Sequence, residues 1–210
     1  MRYEIKFRIE GHHWKEVEHV VLTHPSAFRE IHESRCVHNV YFDNSSMGAF
    51  HENVAGVNIR SKVRVRWYET LGELSKPQLE IKHKHNMLGA KKVIPLDEIQ
   101  PMDFVSLSQR VNEVVGVPMR IVFHSHYVRS YYRSFDNRFR ITLDREMYFR
   151  PVNQLSSTSF LPREDKAVIL ELKFSQEVTD NELDSVTQFL PFKVTKNSKY
   201  ARGVLLTEGH

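Results

Sequence analysis

The chain has 210 residues, 40% of them hydrophobic, a formal net charge of +4 and a sequence pI of about 9.1. That length suits one full-sized core, so a single domain over residues 1–210 is expected. The lone Cys36 excludes an intrachain disulfide, and no stretch approaches the ~18 apolar residues of a membrane span. The start, MRYEIKFRIEGHH, lacks the apolar centre of a signal peptide, which makes a cytoplasmic protein the expectation.

RYEIKFRIE alternates, with Arg2, Glu4, Lys6 and Arg8 on one side and Tyr3, Ile5, Phe7 and Ile9 on the other, and reads as a first strand. Residues 12–32 read as helical pieces interrupted at Pro25. CVHNVYFDN is a second strand, and SSMGAFHENVAG a short helix with a serine cap near 44–46 and a stop at Gly56. SKVRVRWYE, residues 61–69, sets Lys62, Arg64 and Arg66 against Val63, Val65 and Trp67. QLEIKHKH alternates again, with Glu80, Lys82 and Lys84 on one side, and MLGAKKVIPL suggests a turn at Gly89 and a returning strand. PMDFVSLSQRVNEVVG fits a helix opened by Asp103 and ended near Gly116. Strands over 119–133 and 138–149 meet at the turn SFDN, KAVILELKFS is a further strand, and TDNELDSVTQFL and KNSKYARGVLLT close the chain as helices.

Locally joined strands of this kind make an antiparallel sheet in an α+β fold. One alternating basic strand is ordinarily a solvated face. Here segments 2–8, 60–66, 80–84, 138–144 and 171–173 all place long cations on one side, with single glutamates among them. A closed barrel would gather those sides into one lumen, whose self-repulsion a bound polyanion would offset. Base-stacking aromatics are missing from the basic side, since Tyr3, Phe7 and Trp67 take the other parity, so nucleic acid is not the expected partner. No GxxxxGK[ST], GxGxxG, HExxH or GxSxG motif occurs. The pairs His83/His85 and His124/His126 could each face a metal, but neither has a third ligand at a recognisable spacing, and Cys36 reads as core.

NVYFDN, KVRVRWYE, LEIKHK, YYRSFDNRFRITLDRE, VILELKF and KNSKYARGV, in that order, resemble the catalytic domain of the vacuolar transporter chaperone (VTC) polyphosphate polymerases, within the triphosphate tunnel superfamily. The likeness runs from about residue 2 to 206. It implies an eight-stranded antiparallel tunnel barrel braced by helices, and transfer of the γ-phosphoryl of ATP to a polyphosphate chain with a divalent cation, Mn2+ or Mg2+. Carried over motif by motif, Arg64, Arg66, Lys82, Arg140 and Lys199 are the implied catalytic cations. Lys6, Lys62, Lys84, Arg133, Arg138, Lys196 and Ser198 are implied to bind substrate, and Glu171 the metal. The related triphosphatases carry E-x-E-x-K on the first strand. Here that register reads Arg2, Glu4, Lys6, a departure toward the polymerase branch. An inorganic triphosphatase and a non-catalytic polyphosphate sensor are the alternatives on the same fold. Transport coupled to synthesis would need a separate membrane partner.

Overall fold

The computed structural model describes residues 2–85, 88–151 and 162–208. Among the described residues there are ten strands and five helices. They are β1 (Arg2–Ile9), α1 (Trp14–Leu22), β2 (Arg29–Asp43), α2 (Gly48–Val54), β3 (Ile59–Thr70), β4 (Glu73–Leu74), β5 (Gln78–His85), β6 (Leu88–Pro95), α3 (Phe104–Val115), β7 (Arg120–Arg133), β8 (Phe139–Pro151), β9 (Arg163–Asp165), β10 (Val168–Ser175), α4 (Asp180–Thr187) and α5 (Lys199–Thr207). The fold is α+β, as the sequence implies. One sheet runs in the order β1-β10-β8-β7-β2-β3-β5-β6, an eight-strand path with β4 on β3 and β9 on β8 beside it. The pairs β1–β10, β10–β8, β2–β3, β3–β5 and β5–β6 are antiparallel. The path has two ends, β1 and β6. Among the described residues no helix is long and apolar enough to cross a membrane.

Several elements depart from expectation. Helix α1 stops at Leu22, and residues 29–32, expected in a helix, belong to β2 instead. Pro25 and the left-handed Ala27, at φ 47°, break the chain between the two. The serine expected to cap α2 does not do so. Its first amides are taken by Asn44, whose Oδ1 accepts from Gly48 N at 2.8 Å, and by Asp43, which accepts from Ala49 and Phe50. Helix α3 forms as read: Asp103 Oδ1 accepts from Ser106 N at 3.1 Å, and Gly116 leaves the helix at φ 75°, a conformation suited to glycine. Gly89 lies within β6, opposite Lys84; the turn itself falls outside the described residues.

The chain gathers into two compact units. One comprises Met1–Arg35, Tyr127–Met147 and Asp165–Asn197; the other comprises Cys36–His126, Tyr148–Glu164 and Ser198–His210. The first has a core of Phe7, Ile9, Ile141, Leu143, Leu170 and Leu172 under Val17, Val21 and Val186 of α1 and α4. The second packs Val63, Val65, Trp67, Leu79 and Ile81 against Leu107 and Val111 of α3. The apolar parity of β3 is therefore the core parity, as its alternation predicts.

Candidate functional site

In the second unit the register puts Lys62 opposite Lys82, and Lys82 opposite Lys91, in a row across β3, β5 and β6. The next row pairs Tyr41, Arg64 and Glu80, and beyond it Arg66 faces Asn39 and Gln78. These side chains share the sheet face opposite Val63, Val65 and Trp67. Glu80 is the one carboxylate that β3, β5 and β6 place on it. It is fully buried and receives Arg64 Nε at 2.7 Å on one oxygen and Lys91 Nζ at 2.6 Å on the other. Burial pushes this carboxyl up, but Arg64, Arg66 and Lys91 outweigh that and hold it at about 2. Glu80 thus fixes the Arg64 fork, while Arg64 Nη1 reaches the Tyr41 hydroxyl at 3.3 Å. Arg66 is buried and donates from Nε to Asn39 Oδ1 at 2.8 Å.

The SKY segment enters the same unit at α5. Ser198 caps the helix, its Oγ accepting from Ala201 N at 3.3 Å and from Lys62 Nζ at 2.9 Å. Lys199, the first helical residue, is half-buried. Tyr200 is buried and its hydroxyl donates to Asp43. Burial, and then that bond, push the Tyr200 phenol far up, so it stays protonated. Gly203 lies beneath the Phe123 ring, where a Cβ would come within 2.2 Å of the ring carbon Cζ. Serine, tyrosine and glycine of this motif therefore anchor the helix turn that presents Lys199.

In the first unit the face of β1, β10 and β8 carries the rows Glu4–Lys173–Arg140 and Lys6–Glu171–Thr142. Glu171 is buried among cations: Lys173 Nζ stands at 2.9 Å, Lys6 Nζ at 3.7 Å and an Arg129 nitrogen at 3.9 Å. Arg129 in turn clasps Asp144 with contacts of 2.5 and 2.7 Å. Burial opposes the charge of Arg129, but Asp144, Tyr127 and Glu171 raise its pKa well above the ordinary value. Residues 194–197 line the outer side of β1, with Thr195 N donating to Lys6 O at 2.8 Å and Lys6 Nζ reaching Asn197 O at 3.4 Å. Lys196 is exposed in this segment.

The implied residues thus fall into two sets. Lys62, Arg64, Arg66, Lys82, Ser198 and Lys199 belong to the second unit, as does the register position of Lys84; Lys6, Arg133, Arg138, Arg140, Glu171 and Lys196 belong to the first. Arg138 is exposed before β8, where its guanidinium forks onto Glu182 at the start of α4. Arg133 is half-buried, and its Nε makes no hydrogen bond among the described residues. Arg129, Asp144 and Lys91 were not singled out from the sequence. Arg129 has the same strand parity as Arg133, so alternation alone cannot choose between them. Glu171 would offer a hard divalent cation a single carboxylate anchor.

A family profile described as "VTC domain" matches residues 1–207. No curated protein matches. Among solved structures, the chain is similar to a candidate adenylyl cyclase from Hippeastrum, described as having a dominant triphosphatase activity. They share 18% identity with a TM-score of 0.56, over 97% of this chain and 95% of that one. A candidate adenylate cyclase from Bacillus halodurans gives 14% identity and a TM-score of 0.57, over 96% of each chain. A Pyrococcus horikoshii protein gives 12% and 0.56, over 95% of this chain and 96% of that one. At such identities the likeness is one of fold.

Proposed function

The chain belongs to the VTC-domain family, and on that premise we propose that it moves the γ-phosphoryl group of ATP onto the end of a growing polyphosphate chain. One observation supports this reading above the others: the face of β3, β5 and β6 sets Lys62, Arg64, Arg66, Lys82 and Lys91 against the single carboxylate Glu80. Long cations gathered on one face match the charge and hydrogen-bonding geometry of a phosphate chain.

In the reaction a terminal phosphate oxygen of the acceptor forms the new bond to the γ-phosphorus, and the bond from that phosphorus to the β-phosphate bridging oxygen breaks, releasing ADP. The acceptor oxygen is already anionic, so no protein nucleophile or general base is required. Catalysis is positioning and charge stabilisation. Arg64, Arg66 and Lys82 hold the nucleotide phosphates. Glu80 keeps the Arg64 fork aimed, and Asn39 does the same for Arg66. Lys6, Lys196 and Arg133 hold the acceptor chain. Glu171 would anchor Mn2+ or Mg2+, which when bound neutralises charge on the phosphate oxygens. Transport of the product would require a separate membrane partner.

The deciding experiment incubates the purified chain with ATP and Mn2+ and sizes the phosphate product on a gel. Polyphosphate longer than any added primer is the expected result. Orthophosphate alone would identify a hydrolase, and tight polyphosphate binding without turnover a sensor; either replaces this reading.

A further inference from the structure

The reverse face of the β2–β3 ladder carries a second group of chemically competent side chains. Cys36 lies opposite Glu69 and His38 opposite Trp67, whereas the alternate positions pair Asn39 with Arg66 and Tyr41 with Arg64. The group therefore stands on the side of the sheet away from the arginines. The Cys36 thiol, a ring nitrogen of His38 and a Glu69 carboxylate oxygen all lie within 4.8 Å of one another. His38 is held at both ring nitrogens, Nδ1 at 3.3 Å from His124 Nε2 and Nε2 at 3.2 Å from Glu69 Oε2. Its ring also lies flat on Trp67, with centroids 5.3 Å apart and planes 3° from parallel. The His38 side chain is 13% exposed and that of Glu69 39%, so solvent reaches the group from one side while the core fixes it from the other.

We infer that Cys36, His38 and Glu69 form a binding site for a thiophilic divalent cation of the zinc class, with water completing a four-coordinate shell. A thiolate, an imidazole and a carboxylate make a borderline-soft donor set, which suits zinc and poorly suits Mg2+ or Mn2+. Donors around a tetrahedral zinc stand roughly 3.3–3.8 Å apart, given bonds of about 2.0–2.3 Å. The His38–Glu69 pair is already at 3.2 Å, and rotation of the Cys36 side chain brings the thiol in. With the ion on Nε2, the Nδ1–H of His38 donates to His124, the outer hydrogen bond that fixes the tautomer and aim of a ligating imidazole. Joining adjacent strands on the side away from Arg64 and Arg66, the ion acts as a clasp on β2 and β3, not as part of phosphoryl chemistry. It stabilises the fold by mass action. Spacing along the chain hides the site, because the third ligand comes from a paired strand and not from either HxH pair.

The test uses the full chain without a polyhistidine tag, stripped with chelator and titrated with Co2+ and then Zn2+. One equivalent of Co2+ should give a thiolate-to-cobalt charge-transfer band. Zn2+ should displace it and raise the melting temperature. Cys36→Ser should abolish the band, and Glu69→Gln should weaken binding by about tenfold or more, the least that loss of even an outer partner costs. Both positions are partly exposed, and circular dichroism checks each fold; should one variant misfold, the other decides. A folded wild-type chain with no band, or undiminished affinity in Glu69→Gln, overturns the inference. Binding is read without turnover, so the outcome does not depend on the phosphoryl-transfer reading.

Discussion

The two compact units solve the problem of a charged sheet face in different ways. In the first, cations and carboxylates are nearly matched: Lys6 meets Glu4 at 3.0 Å, Arg8 forks onto Asp165 at 2.8 Å, Arg129 clasps Asp144 and Lys173 meets Glu171. In the second, Glu80 is shared between Arg64 and Lys91 on a face that also carries Lys62, Arg66 and Lys82. A matched face holds its own geometry. Cations gathered around one carboxylate suit anionic charge from outside. Loss of Arg129 from the first face should thus cost stability, and loss of Lys82 from the second should cost binding.

The largest expected effect falls on turnover. Arg66→Ala or Glu171→Gln should lower polyphosphate synthesis by about 100-fold or more, the scale of losing one preorganised charge contact in a transition state, with the circular dichroism spectrum retained. An unaltered rate in either variant removes the assigned role. Next comes a contrast between the faces. Arg129→Ala breaks the buried ion pair with Asp144 and should cost about 3–5 kcal/mol in urea denaturation. Lys82→Ala, at an exposed position, should leave the urea midpoint unchanged and raise KM for ATP. Equal stability losses in both variants would dissolve the distinction.

A smaller effect is carried by pH. The Glu80 carboxyl is depressed to about 2 in the folded chain from an ordinary 4.5, so its stabilisation is complete above about pH 4.5 and is lost as pH falls toward 2. The span corresponds to roughly 3 kcal/mol. Glu80→Gln should flatten the stability profile between those values, read by urea denaturation at stepped pH. The smallest effect is expected at Arg138, whose partner Glu182 is equally exposed. Arg138→Ala should change neither the melting temperature nor the product length measurably, and a marked loss of polyphosphate binding would return Arg138 to the substrate face.

Much of this was legible in the chain, for a physical reason. Strands report their faces by parity, so Lys62, Arg64 and Arg66 and their apolar complement Val63, Val65 and Trp67 could be sorted before any coordinate was known. Caps placed α3 equally well: Asp103 and Gly116 stand where they were expected. The beginning of β2 was not legible, because Arg29, Glu30, His32, Glu33 and Arg35 give no apolar rhythm of either period. The partners of Glu80 and Glu171 were hidden for another reason. Parity gives a side chain's face, but register gives its neighbour, and register depends on turns and packing far along the chain. Arg129 and Cys36–His38–Glu69 belong to this class.

Strand β3 has a consequence for how the gene can vary. Each residue of its central run serves either the oily layer under α3 or the ionic layer on the reverse side. An insertion or deletion of one residue there would exchange the two, driving Arg64 and Arg66 into the packing and lifting Trp67 out of it. Length changes should therefore be tolerated beyond the strand, at the Leu71–Gly72 bend where both residues already have positive φ, and rejected between Lys62 and Trp67.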